Sequence, residues 1–229
     1  MQEIEGIEFF DRLYDLLTDH KKQLFSKLVK ERTRRISWLA DNLYHEQNAS
    51  AIIRSADCFG FSEIYVLEDK YRYKVNEEIA MGAQKWVRPK ALHAENGKYE
   101  SALKIIKSKG YRIIAASPHA SGNTLEDLDL STPLCIALGS ERHGLHPEII
   151  QQADGFVMIP MVGFTESLNV SVTAGILMYR LRKRLIEENI PWQLTPEQEK
   201  EQLFEWALKT VPNAQKMIKR WFEEKAKNS

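Results

Sequence analysis

Cysteine is scarce: Cys58 and Cys135 are the only two in 229 residues, and both sit inside apolar runs. Two thiols cannot staple a small secreted scaffold, so both are expected as reduced core residues of a cytosolic protein. An excess of charge of either sign is also missing, because 32 Lys plus Arg balance 32 Asp plus Glu. That excludes a uniformly basic nucleic-acid protein and confines any polyanion site to a local patch. No run approaches the roughly 18 unbroken apolar residues of a membrane helix. The opening MQEIEGIEFF is acidic and has no basic segment ahead of an apolar one, so no signal peptide is read. A soluble, cytoplasmic protein is expected.

Several chemistries lack their motifs. The GxGxxG turn of dinucleotide-binding folds is missing, although Tyr65 to Asp69 (YVLED) resembles an acid-tipped ribose-binding strand. The phosphate loop GxxxxGK[ST] is absent too, and Ser140 lies in GSERHG, not in the GxSxG elbow of hydrolases. His143 and His146 form HGLH with no carboxylate or cysteine at ligand spacing, so they read as solvated loop residues and no metal is expected. No internal repeat stands out.

What is present is alternation, in a chain that is 43% hydrophobic. Residues 8 to 35 have helical spacing (Phe9, Leu13, Leu16, Leu17, Leu24, Leu28) and end in the basic run KERTRR. Strands follow at 36–40, 63–67, around 86–87, 111–116, 134–138 and 156–159. Between and after them, helices are expected at 49–59, near 77–81, at 99–109, near 147–150 and at 168–187. This predicts an α/β fold with a mostly parallel sheet covered by helices on both faces. The organisation expected is an N-terminal helical arm (1–35), a central α/β domain (36–188) and a C-terminal tail (189–229) of one or two amphipathic helices with Trp192, Trp206 and Trp221. Ligands of such sheets sit beyond the carboxyl ends of the strands, which selects the loops after Ala116, Leu138 and Ile159.

Those loops complete a pattern. NASAIIRSADCFG (Asn48 to Gly60), LGSERHGL (Leu138 to Leu145) and IPMVGFTESLNVSVTAGI (Ile159 to Ile176) resemble, in this order, the three motifs of the SPOUT-class RNA ribose 2′-O-methyltransferases. The resemblance spans roughly 36–185. It implies S-adenosylmethionine as methyl donor, no metal, a homodimer, and a C-terminal segment threaded into a trefoil knot, a topology that ordinary folds avoid. The arms at both ends resemble members acting on the guanosine at position 18 of the tRNA D-loop. A ribosomal RNA enzyme of the same class, or a knotted binding protein without activity, are the alternatives. Where relatives often carry Pro-His before the motif asparagine, this chain has Glu46 and Gln47.

Carried over position by position, the resemblance places Ala116, Leu138, Gly139, Ile159 and Leu168 around the cofactor, mainly through apolar contacts and backbone groups. Arg54 is the catalytic candidate, an arginine conspicuous on a helix rich in Ala51, Ile52, Ile53 and Ala56. A charged Arg54 that stabilises a developing alkoxide is physically easier than a neutral one acting as base. Asn48 is read as the cap of that helix. With Asn48, the residues Ser167, Asn169 and Glu141 complete the catalytic site that the resemblance implies: Ser167 and Asn169 open a later helix, where they can cap it or orient a bound group, and Glu141 either joins the site or organises the loop that holds it. For RNA, the cationic candidates are Lys30, Arg32, Arg34 and Arg35 on the N-terminal arm, with Lys27, and Lys216, Lys219 and Arg220 on the tail, with Lys209.

Overall fold

The computed structural model describes residues 9–43, 45–69, 72–95, 97–118, 124–140 and 143–227. The chain forms two compact units, Thr33–Trp192 and Met1–Arg32 with Gln193–Ser229.

The larger unit contains six parallel strands: β1 (Ile36–Asp41), β2 (Glu63–Glu68), β3 (Arg88–His93), β4 (Arg112–Ala116), β5 (Leu134–Leu138) and β6 (Gly155–Val157), in the order β3-β2-β1-β5-β4-β6. Successive strand residues face opposite sides of the sheet. Ile36, Trp38 and Ala40 of β1 therefore join one core with Ile136, Leu138, Ile52, Leu177 and Leu181, while Leu39 joins the other with Ala137, Leu103, Ile106 and Ile149. The first core lies beneath α3 (Glu46–Cys58) and α7 (Val170–Glu187); the second lies beneath α5 (Glu100–Ser108) and α6 (Pro147–Gln152). A parallel sheet covered on both faces needs near-continuous apolar strands, and β5 (LCIAL) is buried throughout.

Two expectations shift here. The strand anticipated around Trp86 and Val87 is instead β3, six residues long and preceded by a 3-10 turn at Ala83–Lys85. Pro89 hid it, since proline removes a ladder donor, but β3 is an edge strand and tolerates the loss. Cys58 is exposed near the end of α3, while Cys135 is buried in β5, where desolvation pushes its thiol up to about 12.

Between β2 and β3, α4 (Glu77–Ala80) is capped by Asn76. Arg184 of α7, buried, donates to the carbonyls of Leu125 and Leu128, so the charge in this core is fully engaged.

The smaller unit is helical: α1 (Phe10–Asp15), α2 (Asp19–Val29), α8 (Pro196–Thr210) and α9 (Ala214–Lys227). The N-terminal arm is broken at Thr18, whose side chain accepts from the Lys21 N–H and starts a second helix. At α8, Thr195 and Gln198 form a reciprocal capping box with Pro196 in the first turn, as TPEQ signals. The arm and the tail share one core, with Phe25 against Trp206 at 5.2 Å and Phe9 against Trp221 at 5.6 Å.

That packing corrects part of the basic patch. Arg32 is buried, its guanidinium 5.3 Å from the Trp206 ring, so it supports the helical core and is withdrawn from solvent. In the larger unit, Arg35 turns its guanidinium onto the carbonyls of Leu130 and Ser131, and Arg34 is half-buried. Lys30 pairs with Glu199 at 2.6 Å; Lys27, Lys209, Lys216, Lys219 and Arg220 are exposed.

Candidate active site

Parallel strands end together, so the loops after β4, β5 and β6 converge. With the start of α7 they enclose a cavity of about 530 Å³. Ala116, Leu138, Gly139, Ile159 and Leu168, the five positions selected in the sequence, all lie in its wall, as does Ser167. Glu166, His143, Thr173 and Leu145 line it as well.

Gly139 is there for a steric reason. A Cβ at this position would lie 2.2 Å from the Gly144 carbonyl carbon and 2.3 Å from the Leu145 nitrogen, and backbone atoms cannot move aside as a flexible side chain can. The loop closes on itself: the Ser140 N–H donates to the Gly144 carbonyl at 3.0 Å and the Gly144 N–H returns to Ser140 at 2.9 Å. Gly144 adopts φ +67°, a conformation natural to glycine. Glu141 lies outside the described residues.

The far end of this loop is anchored by β1. Asp41, buried at the strand's C-terminal end, accepts the His146 N–H on Oδ2 at 2.8 Å. Burial is the main reason its carboxyl is pushed up to about 6, with the His146 N–H pulling the other way. The His146 ring stacks on Tyr99 at 4.0 Å, and its Nδ1 accepts the Glu148 N–H to cap α6. His146 is therefore a packed structural residue and not a solvated one; His143 is exposed at the cavity wall. A buried aspartate ending a largely apolar strand was the available signal for this anchor.

Asn48 is not the cap of α3. The helix begins at Glu46, with His45 in the capping position and making no side-chain cap bond. Lying inside the first turn and buried, Asn48 instead accepts from Asn169 Nδ2 at 3.1 Å. Asn169 does cap its helix: its Oδ1 accepts from the N–H groups of Ser171 and Val172 at 2.9 and 3.4 Å. Two of the selected polar residues thus meet. Arg54 stands apart: exposed on α3, it reaches, among the described residues, the Ile79 carbonyl at 3.5 Å, and does not line the cavity.

Among the described residues no group of three or more His, Cys, Asp and Glu side chains is arranged to hold a metal ion, and no helix is long and apolar enough to cross a membrane.

A parallel sheet with a pocket at its strand ends, walled by the second and third motifs and tied to the first through Asn48 and Asn169, defines a class. Residues 36–179 match the SpoU rRNA Methylase family, and the chain belongs to that family. These enzymes use S-adenosylmethionine. Resolved further, the chain is similar over most of its length to proteins named tRNA (guanosine(18)-2′-O)-methyltransferase. The one from Borreliella burgdorferi is 32% identical over 203 residues, covering 89% of this chain and 91% of that one. The one from Aquifex aeolicus is 29% identical, covering 86% and 92%. Among solved structures, the A. aeolicus TrmH/SpoU tRNA modifying enzyme superposes with a TM-score of 0.73 at 29% identity, over 83% of this chain and 96% of that one. An AdoMet-bound rRNA methyltransferase from Sinorhizobium meliloti, 22% identical, shares the fold with a TM-score of 0.58 over 69% of this chain and 60% of that one.

Proposed function

We propose that this protein transfers a methyl group from S-adenosylmethionine to the ribose 2′-oxygen of guanosine 18 in tRNA. The observation that carries the reading is the match to a tRNA (guanosine(18)-2′-O)-methyltransferase across about nine-tenths of both chains.

The cavity suits the cofactor. Its volume falls in the range of small-molecule sites. Leu138, Ile159 and Leu168 offer an apolar slot for a purine, the close approach at Gly139 lets backbone groups edge that slot, and Glu166 supplies a carboxylate for a cationic methionine end. When bound, the cofactor supplies an electrophilic methyl on a sulfonium. The protein's part is to hold the ribose in line, stabilise charge on its 2′-oxygen and exclude water. In this reading the charged Arg54 guanidinium faces the reacting ribose and its phosphate, while Ser167 and Asn169 orient the methionine side.

Because Arg54 does not line its own chain's cavity, a homodimer completes the site. The exposed apolar residues Val162, Phe164, Val172, Ile176 and Tyr179, on α7 and the loop before it, support a second copy covering this face. The segment after β6 forms the trefoil knot of its class, and the convergence of three strand-end loops on one cavity is consistent with that threading. The domain at 36–188 performs chemistry in the cytoplasm, and the exposed cations Lys27 and Lys30 of the N-terminal arm with Lys216, Lys219 and Arg220 of α9 hold tRNA without a metal.

Incubation of purified protein with methyl-labelled S-adenosylmethionine and either a tRNA transcript or ribosomal RNA tests the substrate. Label in tRNA alone is expected; label only in ribosomal RNA would move the assignment to that branch of the family.

A further inference from the structure

The loops after β1 and β2 border a second cavity, of about 580 Å³, which the reading above does not use. Buried Val66 and Leu67 line it from β2, and His45, Arg72, Tyr73 and Lys74 line it from the connecting segments. Arg72 and Lys74 are exposed, and among the described residues neither has an ion-pair partner. One carboxylate, that of Glu46, shares the lining, and its Oε1 accepts from Asn76 Nδ2 at 3.5 Å. On a chain of zero net charge this is a local cationic excess.

An aromatic residue, Tyr73, separates the two cations in the sequence and lines the same cavity. Tyr73 is half-buried against the core, and its backbone N–H is fixed to Glu68 Oε1 at 2.7 Å. Its hydroxyl is buried and has no hydrogen-bond partner among the described residues, a condition that native proteins rarely leave uncompensated. An aromatic side chain, two cations without an ion-pair partner among the described residues, and apolar Val66 and Leu67 lining one cavity are the composition of a site for a base and its phosphate.

The placement ties this cavity to the first. The opening turn of α3 lines the second cavity through Glu46 and Gln47, and one residue later Asn48 is hydrogen-bonded to Asn169, whose neighbours Leu168 and Val170 line the first. The two cavities thus flank one side-chain contact, both at the carboxyl ends of the strands.

We infer that the second cavity seats an unpaired nucleotide of the substrate RNA next to the one methylated, its base against Tyr73 and its phosphate at Arg72 and Lys74. The inference rests on the RNA-methyltransferase reading. A single-stranded partner fits because a stacked base has to be splayed out of its helix to enter such a cavity.

The test measures affinity of the full-length protein for a tRNA transcript, with S-adenosylmethionine affinity read in parallel. Arg72→Ala with Lys74→Ala is expected to weaken tRNA binding by about 10- to 100-fold and lower the salt slope by about one to two, leaving cofactor affinity unchanged. Tyr73→Leu is expected to weaken it about tenfold, and Tyr73→Phe, which keeps the ring, by less. Lys104→Ala, an exposed lysine on α5, controls for general charge loss and should have no effect. Wild-type affinity and salt slope in the Arg72/Lys74 variant would overturn the inference even if Tyr73→Leu fails to fold. Tight binding of free guanosine monophosphate, lost in the same variant, would also overturn it in favour of a mononucleotide site. A wild-type protein that methylates no tRNA would remove the parent reading. Normal methylation with unaffected variants would remove this one alone.

Discussion

Asn169 donates to Asn48 at 3.1 Å across 121 positions of sequence. The same Asn169 side chain accepts from two N–H groups at the start of α7, so one amide closes a helix end and ties it to α3. The first and third sequence motifs therefore meet in a physical contact, and the polar rim of the cavity inherits its position from both helices.

This contact should appear as coupling. Asn169→Ala removes a cap and the bridge together and is expected to cost about 1–2 kcal/mol; Asn48→Ala, which leaves the cap, should cost about 1 kcal/mol. Denaturant unfolding of both single variants and the double should give an interaction energy of about 0.5–1.5 kcal/mol. Strict additivity would show that the two side chains do not act on one another.

Gly139→Ala is expected to open the loop between β5 and α6, because the added carbon would collide with backbone at Gly144 and Leu145. Titration calorimetry should show S-adenosylmethionine affinity reduced at least tenfold, on the order of 1.4 kcal/mol or more. Unchanged affinity would place the cofactor elsewhere.

Asp41 gives the stability curve a definite sign. Its carboxyl ionises near 3.8 in its ordinary state and near 6 in the fold, chiefly because it is buried. Between those values the folded protein keeps a proton that the unfolded chain has lost, so stability falls as pH rises through the window. Asp41→Asn keeps an acceptor for the His146 N–H and cannot ionise. Relative to wild type it should gain about 2–3 kcal/mol between pH 4 and 7, read by chemical denaturation across that range.

Arg54→Ala should lower methyl transfer by on the order of 100- to 1000-fold while cofactor affinity holds. Single-turnover assays and calorimetry separate the two, and near-normal turnover would show that another group stabilises the ribose oxygen.

The alternation of strands and helices was legible because apolar runs in β1, β2, β4 and β5 are bounded by loops, and the cavity wall was legible because parallel strands must deliver their ends to one side. Side-chain partners were not. Asn48 precedes an apolar run and so looks like a cap, yet α3 starts earlier and leaves it free to bond Asn169. Arg32 and Arg35 belong to a basic run that reads as a solvated face, but stacking on Trp206 and two backbone carbonyls claim them, and neither partner is near in sequence. Pro89 disguised an edge strand whose edge position only the assembled sheet reveals.

The central claim is tested most directly by mapping the modified nucleotide: methylate a full-length tRNA transcript, digest it with nuclease and identify the product by mass spectrometry. The account predicts 2′-O-methylguanosine at position 18 and no other change. A methyl group on a base, on another nucleotide, or on no tRNA at all would contradict it.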